Sequence, residues 1–155
     1  MSTPSETEQL SVDGVVVGDD GSSRALEAIE FAVQEAIRRN TALHVVRAWS
    51  IKTAVRPDGI EGGITPSLEE FRLATEQHTQ ARLMKVLAGR DIEAQVLALR
   101  GSPQKRLLEL SNTADVIVVG DRGVGGIAGH LLGSTADSLV REANCPVIVV
   151  RHRAA

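Results

Sequence analysis

The sequence predicts one α/β domain, built as a doubly wound five-stranded parallel sheet with helices on both faces. Three observations lead there. Short continuous apolar runs alternate with helical apolar patterns along the chain, as expected of strands buried on both faces and joined by helical crossovers. The strict alternation gives a mostly parallel sheet with right-handed connections. The 155 residues, 43% hydrophobic and 24% charged, suffice for one domain that buries roughly two-thirds of its unfolded surface and are too few for two.

Residues 1–11, MSTPSETEQLS, are polar and acidic and lack the basic start and apolar stretch of a secretory signal. They are expected to be a disordered tail on a cytoplasmic protein whose single domain spans 12–153. The first strand is expected over Val12 to Gly18, followed by a helix capped at Ser22 or Ser23, with Leu26, Ile29, Val33 and Ile37 on one face. Leu43 to Trp49 reads as the second strand. Ser50 to Pro66, with two prolines and three glycines, reads as a long mobile loop over one end of the sheet. Ser67 with Glu70 three residues on forms a capping box. The helix it opens carries Leu68, Phe71, Ala74, Ala81, Met84 and Ala88 and stops at Gly89. Ile92 to Leu99 is the third strand. Ser102 before Pro103 opens the third helix, because proline fits the first helical position. Asp115 to Gly120 is the fourth strand, Gly133 and Ser134 open a helix ending near Asn144, and Pro146 to Val150 closes the sheet.

Composition excludes several functions. A net charge of −3, with two Phe and one Trp, argues against a nucleic-acid partner, which would need a basic footprint or stacking platforms. No apolar run approaches the ~20 residues that cross a bilayer, so no membrane partner is expected. The single cysteine, Cys145, excludes an intramolecular disulfide or a cysteine metal cluster, and beside Pro146 it reads as a small core residue. No histidine pair has helical metal spacing, so no metal site is expected. His44 reads as a packing residue, His78 as partly buried structure, and His152, between Arg151 and Arg153, as surface; His130 reads as a solvated loop residue, with a phosphate contact as the alternative.

The stretch GDRGVGGIAGHLLGST, Gly120 to Thr135, has six glycines in sixteen residues and comes directly after a strand. Three phosphate-binding patterns compete for it. A Walker A loop fails, because GHLLGST lacks the required lysine. Gly123, Gly125 and Ala128 satisfy a dinucleotide fingerprint, but it comes after the fourth strand rather than the first, three residues late, with no second mononucleotide half beyond it. The third pattern is G-x2-G-x9-G-[ST], formed by Gly120, Gly123, Gly133 and Ser134. Gly120 and Gly123 let the chain turn and bring backbone N–H groups close to a phosphate. At Gly133 the chain returns to a helix N-terminus, where free N–H donors, the helix dipole and the hydroxyls of Ser134 and Thr135 face the same anion. The plainer alternative is a glycine-rich connection with Ser134 as a helix cap, but capping alone does not call for Gly120 and Gly123.

That glycine spacing after a VIVVG strand resembles the ATP-binding class of the universal stress protein family. VVVGDDGSSRALEAIEFA resembles the family's first strand and helix, LHVVRAW its second strand, RGSPQKRLLELS its third crossover and NCPVIVV its closing strand, so the resemblance covers nearly the whole chain. It implies a Rossmann-like fold similar to the adenine nucleotide alpha hydrolases, and ATP as ligand. In a sheet of order 3-2-1-4-5 the winding reverses between strands 1 and 4, and ligands settle at their carboxyl ends. The loop GDDGSS, with Gly18 and Asp20, would face the glycine loop there. By resemblance Asp20 contacts the sugar or base, and Coulomb repulsion from a polyphosphate also places it at the nucleoside end. The resemblance further implies that the Val45 backbone meets adenine, that Val119 lines the site, that Arg122 stands near ribose or phosphates, and that Ala136 completes the helix N-terminus with Ser134 and Thr135.

Asp19 departs from the family, which usually has an apolar residue there. It is expected to point into solvent, with a Mg²⁺ accompanying the nucleotide as the alternative. A cradle without a clear base or a phosphate-pairing lysine makes binding a firmer expectation than turnover. The resemblance therefore implies a nucleotide-responsive regulator of stress physiology, with a slow ATPase, a cyclic AMP binder and a nucleotide-independent interaction module as alternatives. The last strand, an apolar edge, invites pairing with a second copy, so a homodimer through Pro146 to Val150 is expected.

Overall fold

The structure is a computed structural model that describes residues 10–122 and 132–152. Five strands and four helices alternate: β1 Val15–Gly18, α1 Ser23–Arg39, β2 Leu43–Trp49, α2 Leu68–Leu87, β3 Ala94–Arg100, α3 Pro103–Leu110, β4 Val116–Gly120, α4 Ser134–Glu142 and β5 Val147–Val150. The sheet has the order β3-β2-β1-β4-β5, and every neighbouring pair is parallel. Winding reverses between β1 and β4, so a crevice opens at their carboxyl ends.

Alternate strand residues serve opposite faces. Val15, Val17, Val45, Val116 and Val118 pack beneath α1 and α2, against Ile29, Val33, Leu83 and Leu87. Val16, Val46, Ile117 and Val119 pack on the other face against Leu107 and Leu110 of α3 and Leu139 of α4. Local signals set the helix ends. The Ser22 hydroxyl accepts from the Ala25 N–H at the start of α1, both halves of the Ser67/Glu70 capping box are formed, and Pro103 opens α3 behind Ser102.

Several boundaries differ from expectation. The first strand begins at Val15 because Gly14 turns with φ +85°, where an added Cβ would stand 2.5 Å from the Ala42 carbonyl oxygen. Leu10, placed with the tail, is buried in the α3/α4 core. The buried face of α2 is Phe71, Thr75, Thr79, Leu83 and Leu87, whereas Leu68, Ala81, Met84 and Ala88 are exposed. The reason is satisfied hydroxyls: Thr79 Oγ1 donates to the Thr75 carbonyl at 2.7 Å, and Thr75 Oγ1 accepts from the Val55 N–H at 3.0 Å. His78, expected partly buried, is exposed. His44 is a buried packing residue whose Nδ1 lies 2.7 Å from Gln95 Nε2. The loop after β2 is held at its start and end, with Ala54 against Trp49 and Phe71, and with Pro66 buried. No helix among the described residues is long and apolar enough to cross a membrane.

Candidate functional site

A cleft of about 1110 Å³ opens at the carboxyl edge of the sheet. Loops from four strands meet there. Gly18 and Asp20 come from the β1–α1 turn, Val119, Gly120 and Arg122 from the end of β4, and Gly133, Ser134, Thr135 and Ala136 from the start of α4. Nine of the residues singled out in the sequence thus line one cavity. Gly123 and His130 lie outside the described residues. Val45, expected to offer its backbone, is not among the lining side chains: it is fully buried between Val17 and Val96 in the ladder, and its side chain packs under α1 and α2. Its neighbour Val46 faces the cleft instead, as the period of two requires.

The helix start at α4 is built by backbone. Gly133 is the N-cap with no side-chain hydrogen bond, and its N–H donates to the Asp121 carbonyl at 2.7 Å, which brings the two ends of the glycine excursion together. The first intrahelical bond is Asp137 N–H to Gly133 O at 2.9 Å. The amides of Ser134, Thr135 and Ala136 therefore precede the hydrogen-bonded turn, at the positive end of the helix dipole. Gln104 Nε2 donates to Ser134 Oγ at 3.0 Å, leaving that hydroxyl its own proton to donate.

Gly120 ends β4 without a left-handed conformation. Among the described residues, a Cβ there would meet the Arg122 carbonyl oxygen, at 3.6 Å. The described packing thus leaves room for a side chain at 120, and the position lines the cleft.

Asp20 is exposed, and its Oδ1 accepts from the Ser22 N–H at 2.9 Å and the Ser22 hydroxyl at 2.6 Å. Asp19 corrects the sequence expectation: it is 4% exposed and its carboxylate points inward. Arg82 grips it with Nε to Oδ2 at 2.9 Å and Nη2 to Oδ1 at 2.8 Å, while Arg47 Nη1 stands 3.8 Å from Oδ2. A buried carboxylate needs such compensation, and the bidentate guanidinium provides it. Burial pushes the Arg47 guanidinium below its usual value, and the charge of Asp19 partly restores it.

Other lining residues were not singled out in the sequence. Ser50, Lys52 and Thr53 come from the loop after β2, and Ser102, Pro103 and Gln104 from the start of α3. Their signal was position alone, since every loop after a parallel strand opens on this edge. Apolar walls from Val46, Leu107, Val119 and Leu132 complete the cleft, and Arg47, Lys52 and Arg122 bring three cations to it. No group of metal-ligating side chains is found among the described residues.

The chain belongs to the universal stress protein family, whose model matches residues 12–151. Universal stress protein Rv2623 of Mycobacterium tuberculosis is 38% identical over 138 residues, covering 88% of this chain and 44% of the relative. Rv2005c of the same organism is 33% identical over 142 residues, covering 88% and 45%. The chain thus spans less than half the length of these relatives. Among solved structures, a universal stress protein in complex with cAMP is similar at a TM-score of 0.64 and 27% identity, covering 89% of this chain and 95% of that one. A universal stress protein from Archaeoglobus fulgidus in complex with dAMP is similar at a TM-score of 0.61 and 22% identity, covering 89% and 97%, a likeness of fold.

Proposed function

We propose that the cleft binds an adenine nucleotide, ATP foremost, and that the protein is a nucleotide-responsive regulator of stress physiology. The observation that carries this reading is the meeting, at the winding reversal, of Gly120, the N-terminal amides of α4 and the turn bearing Asp20 in one cleft. The residues suit such a ligand. Backbone donors and the α4 dipole suit phosphate oxygens, Lys52 and Arg122 offset polyphosphate charge, and Val46 and Val119 offer apolar walls to a base. Asp20 suits the sugar hydroxyls, where a carboxylate accepts hydrogen bonds without facing the phosphates. A Mg²⁺ bound with the nucleotide would sit on its phosphates rather than on Asp19, whose oxygens are engaged by Arg82 and by the Gly21 N–H.

A cyclic nucleotide is the second reading, favoured by the cAMP complex of the similar protein at 27% identity. The two separate on the number of phosphates used. Calorimetric titration with ATP, ADP, AMP and cyclic AMP, each with and without Mg²⁺, ranks them. Tighter binding with each added phosphate supports ATP, tightest binding of cyclic AMP supports the second reading, and no binding at millimolar concentration refutes both.

A further inference from the structure

A buried charged cluster lies under the β1–α1 turn, and its bearing on ligand affinity rests on the nucleotide reading of the cleft. We propose that Arg82 of α2 is a positioning residue for the cleft, acting through Asp19 to hold the turn that presents Asp20. Every link in this connection is short. Asp19 Oδ1 accepts from the Gly21 N–H at 3.0 Å and from Arg82 Nη2 at 2.8 Å, and Oδ2 accepts from Arg82 Nε at 2.9 Å. Arg82 Nη2 also donates to the Ser22 carbonyl at 2.7 Å. The residues on both sides of Asp20 are therefore fixed, one by its carboxylate and the other by its carbonyl, to a single guanidinium 60 or more positions along the chain.

Arg47 closes the arrangement from β2. Its guanidinium lies so near Gly21 that a Cβ there would stand 2.6 Å from Nη2, and Gly21 itself has φ +83°. The Arg47 side chain is 9% exposed, and among the described residues its Nη1 has no hydrogen-bond partner, with the Asp19 carboxylate at 3.8 Å. One buried carboxylate and two largely buried guanidinium groups leave the cluster net positive directly behind the turn. The second acid of GDDGSS thus adds no negative charge to an anion site; it is the anchor for a brace. A planar guanidinium fork fixes geometry in a way that an ammonium cannot. Asp19 and Arg47 also line the cleft, so coupling between Arg82 and Asp20 is what separates positioning of the turn from a plain contribution to stability.

The first test uses the ligand-free protein. Amide hydrogen exchange of Arg82→Gln is expected to speed up at least tenfold at Gly21 and Ser22, with Val118 in β4 unchanged. The second measures ATP affinity in the wild type, Asp20→Asn, Arg82→Gln and the double variant. Each single change is expected to weaken binding about tenfold, and the double variant to bind no more weakly than either single one, because Asp20 without its brace has little left to lose. Arg82→Lys, which keeps the charge and loses the fork, serves in the same measurements where Arg82→Gln does not fold, and is expected to behave alike. Unchanged exchange at the turn, or penalties that simply add, overturns the role of Arg82. Absence of nucleotide binding by the wild type overturns the nucleotide reading and this role with it, whereas binding with additive penalties overturns the role alone.

Discussion

At the scale of single residues, two glycines with different reasons for being bare make opposite predictions. Gly21 is required by the protein itself, because φ +83° and the adjacent Arg47 guanidinium both exclude a side chain. Gly21→Ala is expected to cost about 1–3 kcal/mol in urea unfolding. Gly120 meets nothing closer than 3.6 Å among the described residues, so Gly120→Ala is expected to leave the unfolding midpoint unchanged and to weaken nucleotide binding at least fivefold in calorimetry. A loss of stability without a loss of affinity at 120 would assign that glycine to the fold. Cys145 sits half-buried against the α3/α4 core, and burial pushes its thiol above the ordinary range. Its alkylation at pH 7 is expected to be slower than that of a free thiol, with a rate that is still climbing as pH passes the usual thiol value near 8.5. Residue-level roles were the least legible in the sequence. Asp19 read as a solvated acid because its partners, Arg47 and Arg82, stand 28 and 63 positions away and carry no local signal. That the Val46 side chain faces the cleft was not legible until the strand's phase was known.

Elements were read more successfully, since caps and periods are local. The Ser67/Glu70 box and the Ser102-Pro103 start both form as their spacing implies. Ser67→Ala is expected to cost about 1 kcal/mol by loss of the cap. The buried face of α2 escaped prediction because hydropathy ranks Thr75 and Thr79 as polar, whereas both hydroxyls are satisfied inside the protein. In α1, the guanidinium of Arg38 and then that of Arg39 hold the Glu35 carboxyl below the usual glutamate range. A carboxyl held low in the folded state contributes stability above its unfolded value, near 4.3, and loses that contribution as pH falls through the folded value. Glu35→Gln is therefore expected to flatten the acid side of the stability curve while changing its slope little above pH 6.

For the whole molecule, alternation of apolar runs and helical patterns was enough to define a parallel sheet covered on both faces, and the order expected with the family resemblance, 3-2-1-4-5, is the one observed. The cleft is a consequence of that order, because a winding reversal between β1 and β4 places their loops face to face. Loops whose composition says little, such as Ser50 to Thr53, joined the site through topology alone. Among the described residues the sheet edge at β5 pairs with β4 alone, and its Val147–Val150 run is half-buried. We propose pairing of two copies along this edge; sedimentation at micromolar concentration is expected to give a dimer, and a monomer there would refute it.

Nucleotide binding is tested most directly by the thermal unfolding midpoint with ATP and Mg²⁺, beside ADP, cyclic AMP and NAD. A ligand at a hundred times its dissociation constant stabilises by about 2.7 kcal/mol, a rise of several degrees for a domain of this size. That rise is expected with an adenine nucleotide, and a smaller one with NAD. No rise with any of them at millimolar concentration would contradict nucleotide binding, and would leave the glycine-lined cleft as a feature of the fold alone.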